Sequence, residues 1–429
     1  MKQVPHILLL KLLTIFMLLV VGISCSSNKI STQESNYQYN NKIKDLDPSF
    51  LVYHESEEVS YLYFELETKD LLYTRENSSK PFEAKVIIEY SLFEDYKGKV
   101  IIDSAAKVLY DYKTANGNKR ILGRIPIKMP LGKKGVLKVV ARDAYKKINS
   151  QKIIDVNKKN TMSSQFFLIK EKKSGDVCFD SYFTSNNTLT VHSHFNPTHT
   201  FIVDYFNTDF PPSRPPFSKN SLVEVPSKKD STVLLSLVNK TGEIQLNRLG
   251  SYYIRSVDSI SYSITLQRLD SNFKYMYSYM GLIGPLKYIC TSLEYKALEN
   301  ALDKRKAVEE FWIKIAGSKE RAKVVIEEYY RRVELANKFF TSYKEGWKTD
   351  RGMLSIVMGL PNTIYKNSNG ETWIYGTPHN MMMSLTFNFS KENEEKSGND
   401  YQLARYRTYR DYWYRGCESW RQGRIYNFN

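Results

Sequence analysis

The sequence predicts a mainly β chain with an α+β C-terminal domain: one or two immunoglobulin-like β-sandwiches, followed by a helix pair and a small antiparallel sheet. Three observations carry this reading. Apolar and polar residues alternate through much of residues 48–270, the pattern of half-buried strands. The apolar period changes to three and four residues from about residue 291, the pattern of amphipathic helices. Behind those helices stands Asn369-Gly370 between two apolar runs, a strong hairpin signal.

At the N-terminus, Lys2 and Lys11 precede an apolar run from Leu12 to Val21 that ends in Gly22, Ile23, Ser24 and Cys25. This is an export signal rather than a fold element. A membrane-crossing helix needs about 20 apolar residues, and this run is shorter, so cleavage is expected instead. The arrangement resembles a bacterial lipobox, which implies residues 1–24 as a lipoprotein signal peptide and Cys25 as a lipidated first residue of the mature chain. Two or more acyl chains anchor stably. Residues 25–47 are rich in Ser, Asn, Lys, Gln and Tyr, the composition of a flexible tether. Ser26, Ser27, Asn28 and Lys29 follow the cysteine, where surface-exported lipoproteins often carry acids; an outer-membrane anchor facing the periplasm is therefore expected rather than the cell surface.

The 429 residues carry a formal charge of +16, or +14 once Lys2 and Lys11 leave with the leader. Such a length suggests several domains. The basic residues are dispersed, as at Lys133-Lys134 and Lys158-Lys159, which suits a soluble surface or anionic envelope partners. Nucleic acid is not an expected partner. Cys178, Cys290 and Cys417 remain after Cys25; at most one disulfide can form, and both a Cys178–Cys290 bridge and buried free thiols are open at this stage.

Residues 48–172 read as a first β-sandwich. Phe82, Ala84, Val86, Ile88, Tyr90 and Leu92 alternate with polar residues. Further short strands are expected at 100–102, 108–110, 121–127 and 136–141, with turns at Asn116-Gly117-Asn118 and from Gly132 to Gly135. Residues 173–285 read as a second β-rich domain, with strands at 188–195, 200–206, 233–238, 252–255 and 262–266. The segment from Phe210 to Phe217 holds Pro211, Pro212, Pro215 and Pro216, an extended loop barred from a sheet centre; it can dock in an aromatic groove or serve as a rigid crossover. His192 and His194 share one strand face with His199 nearby, but no further ligand type completes a metal site. No metal or cofactor is expected.

Residues 286–429 form the α+β part. Leu298, Ala301, Leu302, Val308, Phe311 and Trp312 make one helical stripe; Ser318 is an N-cap for a second helix over about 319–343, with Ala322, Val325, Tyr329, Val333, Ala336, Phe340 and Tyr343 toward the core. Then come Gly346, Trp347, Thr349, Asp350, Arg351 and Gly352, a strand-like run from Met353 to Met358, Gly359 and Pro361, and Trp373-Ile374-Tyr375. Together with Phe311-Trp312 and the Tyr329–Val333 run, this stretch, roughly 300–376, resembles the GWxTD domain, whose members are mostly exported bacterial proteins, often lipoproteins. The resemblance brings no catalytic residues. The motif reads as a structural corner, with Thr349 and Asp350 bonding a turn, Gly352 supplying a positive φ and Trp347 capping the helix pair. The rival reading lines a ligand groove with Asp350 and Arg351 beside Trp347 and Trp373.

The tail, residues 401–429, is dense in arginine and aromatics. Leu403, Tyr406, Trp413, Cys417 and Trp420 fit a helical stripe interrupted by Arg410, and Arg405, Arg410, Trp413 and Trp420 are candidate interface residues because such types concentrate binding energy. Packing on its own domain is the alternative. No GxSxG, HExxH, P-loop or paired-carboxylate motif is present, so no enzyme is expected. The function expected is a non-enzymatic outer-membrane lipoprotein, an accessory or scaffold subunit of an outer-membrane assembly or protein-secretion complex with membrane-protein partners. A glycan- or peptidoglycan-binding envelope lipoprotein is the alternative.

Overall fold

The computed structural model describes residues 35–37, 46–114, 117–207, 210–219, 229–259, 262–275, 279–377, 384–391 and 399–428. The leader, Cys25, most of the expected tether, Asn116 and residues 392–398 lie outside them. The tether reading needs one correction. Residues 35–37 form strand β1 (Ser35–Tyr37), paired antiparallel with residues 364–366, and Leu46 is fully buried in the first sandwich.

Seven strands build that sandwich: β2 (Ser49–His54), β3 (Val59–Glu67), β4 (Glu83–Phe93), β5 (Ile101–Tyr112), β6 (Arg120–Lys128), β7 (Lys134–Asp143) and β8 (Ile148–Asn157). They form one sheet ordered β2-β3-β6 and another ordered β5-β4-β7-β8, an immunoglobulin-like arrangement. In β4 the expected alternation holds: Ala84, Val86, Ile88, Tyr90 and Leu92 are buried with Leu62, Phe64, Ile125, Leu137 and Val139. Phe82, first in that pattern, precedes the strand and is exposed. The two strands expected at 100–102 and 108–110 are one twelve-residue strand, β5, with most side chains in water.

The second β region contains β9 (Leu168–Glu171), β10 (Tyr182–Phe183), β11 (Thr188–His192), β12 (Thr200–Phe206), β13 (Ser231–Ser236), β14 (Thr241–Gln245), β15 (Gly250–Ser256) and β16 (Tyr262–Arg268). A three-stranded sheet β14-β11-β9 and a five-stranded sheet β10-β16-β15-β12-β13 enclose Phe166, Leu189, Phe201, Leu246 and Ile254.

The C-terminal part packs helices on a sheet. They are α1 (Tyr279–Leu286), α2 (Ser292–Asn300), α3 (Lys304–Ala316), α4 (Lys319–Phe340), α5 (Asp350–Met358) and α6 (Arg410–Arg421); the strands are β17 (Thr363–Asn367), β18 (Gly370–Gly376), β19 (Ser384–Ser390) and β20 (Gln402–Leu403). The sheet order is β1-β17-β18-β19-β20. Ile283 and Leu286 of α1 already belong to this core, so it begins ahead of residue 286.

Three helical expectations change. The stripe beginning near 291 breaks into α2 and α3 because Asp303 caps α3, accepting a 3.0 Å bond from the Lys306 N–H; Leu302, between them, is fully exposed. The Met353–Met358 run is helical, and every residue of α5 is buried. A short apolar run buried all round carries no periodicity that separates strand from helix. In the tail, Trp413, Cys417 and Trp420 share the buried face of α6, whereas Leu403 lies in β20 and Tyr406 is exposed. Ser318 is the N-cap as expected, accepting from the Arg321 N–H at 3.2 Å.

The proline-rich loop is the strap between the second β region and the helices. Ser213 donates through its N–H (3.0 Å) and its hydroxyl (2.9 Å) to the Lys348 carbonyl. Phe210 stacks edge-on against Tyr343, and Phe217 lies 5.4 Å from the Tyr414 ring. Backbone rigidity favours this use: four prolines lose little entropy when the loop docks.

Candidate functional site

The corner is built where α4 ends. Asn337 is fully buried, and its Oδ1 accepts from the Trp347 N–H at 3.0 Å. Thr341 donates its hydroxyl to the Asn337 carbonyl and accepts from the Gly346 N–H at 3.0 Å. The chain thereby folds back across the helix it has just left. Gly346 has to be glycine, since a Cβ there would lie 2.0 Å from the Ala336 carbonyl oxygen.

Thr349 starts the next helix. Its hydroxyl donates to the Gly346 carbonyl at 2.7 Å and accepts from the Gly352 N–H at 3.0 Å, satisfying a donor that a helix N-terminus leaves open. Gly352 does not take the positive φ expected of it; it lies inside α5. Close approach is its reason, because a Cβ would stand 1.9 Å from the Gly346 oxygen. Trp347 is buried in the helical core. Its ring packs on Gly284 of α1 and on Tyr288 at 6.2 Å, and the Tyr288 hydroxyl donates to the Trp347 carbonyl at 2.8 Å. Burial drives the Tyr288 phenol pKa far up, so the hydroxyl keeps the proton it donates.

Asp350 and Arg351 point to opposite partners. Asp350 accepts from the Leu403 N–H at 2.8 Å and from both terminal nitrogens of Arg405, one of them at 3.0 Å. Arg351 is 2% exposed; its Nη1 reaches Glu371 at 3.3 Å and its Nη2 the Asn399 carbonyl at 2.8 Å, while the guanidinium lies 4.1 Å from the Tyr401 ring centre. Glu371 also accepts from the Trp373 indole at 3.0 Å. The corner thus pins the strand and tail residues 371, 399, 403 and 405 to α5. The groove of the rival reading is filled by these partners.

The candidate interface residues divide. Trp413 and Trp420 are core residues, with the Trp420 indole donating to the Val357 carbonyl at 3.0 Å. Arg405 is held by Asp350. Arg410 is exposed, near Tyr414. The histidines find separate partners: Thr241 for His192, Lys240 for His194 and Ser256 for His199. Among the described residues no group of three or more His, Cys, Asp or Glu side chains is placed to hold a metal ion. Cys178, Cys290 and Cys417 are free thiols, pushed up to about 11, 12 and 12 by burial.

Sequence reasoning missed Asn337, Thr341, Glu371 and Asn399, since each lies in a different stretch and only the folded corner brings them together. It also missed a cleft of about 510 Å³ lined by Phe50 and Ile154 of the first sandwich, Phe167 and Tyr182 of the second β region, and Lys338 and Asn399 of the C-terminal part. Asn399 ties one wall of it to Arg351.

Residues 250–422 match the family model of the GWxTD domain. The chain carries a GWxTD domain. The match begins at β15, so the family unit includes the last two strands of the second β region as well as the helices and strands β17 to β20 of the C-terminal sheet. No curated protein matches the chain. Among solved structures it is similar to Bacteroides uniformis beta-glucuronidase 2 covalently bound to cyclophellitol-6-carboxylate aziridine, at 12% identity and a TM-score of 0.19, over 35% of this chain and 17% of that one. A likeness of that size says nothing about the activity of this chain.

Proposed function

We propose that this chain is a non-enzymatic, lipid-anchored outer-membrane protein that serves as an accessory or scaffold subunit of an outer-membrane assembly or protein-secretion complex. The observation that supports it most is the way Asp350 and Arg351 are consumed inside the fold. The charged residues of the motif brace two distant segments, at Glu371 and over Asn399–Arg405, which suits a rigid scaffold and leaves no paired acid and base there for chemistry. The proline strap extends that rigidity into the second β region.

The structure also changes how the reading is best tested. Deleting the tail after Asn399 would remove Leu403, Arg405, Trp413 and Trp420 and so dismantle the core. Affinity recovery of the full lipidated chain from detergent-extracted envelopes, read by mass spectrometry, is compared instead with an Arg407→Glu/Arg410→Glu variant. Both arginines are exposed. Stoichiometric outer-membrane proteins in the wild-type sample are the expected result. A chain that brings no protein with it and is retained on purified peptidoglycan would replace the scaffold with the glycan-binding reading.

A further inference from the structure

Strand β1 is the outermost strand of the C-terminal sheet, although it comes from the opposite end of the chain. Ser35 lies opposite Lys366, Asn36 opposite Tyr365 and Tyr37 opposite Ile364, and the strand also packs beside β8 of the first sandwich. Because the pairing is antiparallel, the chain enters the sheet at the end where β17 turns into β18. The exposed tip of that hairpin is Ser368-Asn369.

The pairing decides the length of the leash. An extended chain spans at most about 3.5 Å per residue. Ten residue steps separate Cys25 from Ser35, giving a reach of about 35 Å. With β1 unpaired, the next described residue is Leu46, buried in the first sandwich, and twenty-one steps from Cys25 reach about 70 Å. The short leash constrains which part of the molecule meets the membrane, and the long one does not.

We infer that β1 is a clasp that shortens the tether, so that the hairpin end of the C-terminal sheet, around Ser368-Asn369, is held within about 35 Å of the bilayer carrying the Cys25 lipids. The C-terminal domain is then held at the membrane by the strand over residues 35–37. Three paired residues make few backbone bonds, each worth about 0.5–1.5 kcal/mol net, so the clasp can open and double the leash. The inference rests on the lipid-anchor reading above.

The test uses the full lipidated chain purified in detergent and reconstituted into phosphatidylcholine vesicles containing a headgroup-labelled acceptor lipid. An Asn36→Cys/Tyr365→Cys pair, directly opposite across the strands, is expected to form a disulfide under mild oxidation, mapped by mass spectrometry. A donor dye on Asn369→Cys reports distance to the bilayer; the native thiols are half-buried or buried, and the chain without the added cysteine is the labelling control. Energy transfer is expected to be the same in the open-chain and disulfide-locked proteins, and to fall at least twofold in Asn36→Pro, which removes a strand donor. Vesicles that float with the protein but give no disulfide, or transfer that Asn36→Pro leaves unchanged, overturn the clasp alone. A protein that fails to float, with no lipid on the Cys25 peptide, overturns the anchor and with it this inference, even if the disulfide forms.

Discussion

The first sandwich and the corner of the GWxTD domain hold their ion pairs in opposite ways. In the sandwich, ion pairs are wet: Arg142 and Glu89 meet with side chains 49% and 42% exposed. In the GWxTD domain, Arg351 and Glu371 are each 2% exposed, and Arg405 and Asp350 are 11% and 8% exposed. An exposed pair contributes about 0–1 kcal/mol, whereas removing one partner of a buried pair costs about 3–5 kcal/mol, because the other charge is stranded. The sandwich is specified by alternating apolar residues; the domain is specified by a buried polar corner that also joins segments far apart in sequence.

The largest expected effect tests that contrast. Arg351→Met should destabilise the chain by about 3–5 kcal/mol in urea unfolding, while Arg142→Met should stay within about 1 kcal/mol. Similar losses for both would erase the distinction.

The sandwich buries titratable groups of its own, His54 among them. His54 is fully buried, with Nδ1 2.7 Å from the Ser60 hydroxyl, and burial first and the Lys158 charge second lower its pKa to about 4. The unfolded chain, with an ordinary histidine near 6.5, binds the proton first. The contribution is therefore complete above about pH 6.5 and is lost as pH falls toward 4, on the order of 3 kcal/mol in all. Stability measured across that window should decline in the wild type and stay flatter in His54→Gln. Equal slopes would mean that the ring is not sealed as described.

Two smaller effects probe the corner's geometry. Gly352→Ala drives a methyl into the Gly346 carbonyl and should cost about 1–3 kcal/mol, the usual range for overpacking. Thr349→Val keeps the shape but removes the cap on α5, with an expected cost of about 1 kcal/mol. A Thr349→Val effect larger than that of Arg351→Met would shift the weight of the corner from its charges to the helix start.

What could be read from the sequence follows the same division. The β4 alternation and the α4 stripe were legible because one face meets water and the other meets the core. Ser318 was legible because capping is local. The α5 helix was not, since Met353 to Met358 are buried on every side and leave no polar face to set a period. Trp413 and Trp420 look like interface residues by type, yet they fill their own core, and nothing local distinguishes the two fates. Asp350 and Arg351 stood out as residues, but their partners Arg405, Glu371 and Asn399 are 20 to 55 positions away. The pairing of β1 with β17 spans almost the whole chain and depends on main-chain contacts that no side-chain pattern announces.

The most direct test of the corner as a brace is to measure Arg351→Met twice, by urea unfolding and by recovery of envelope partners from the fraction that remains folded. A loss of about 3–5 kcal/mol with partner recovery unchanged per folded molecule is the expected result. Stability within about 1 kcal/mol of wild type, together with lost partners, would contradict the account and make the GWxTD corner a binding site.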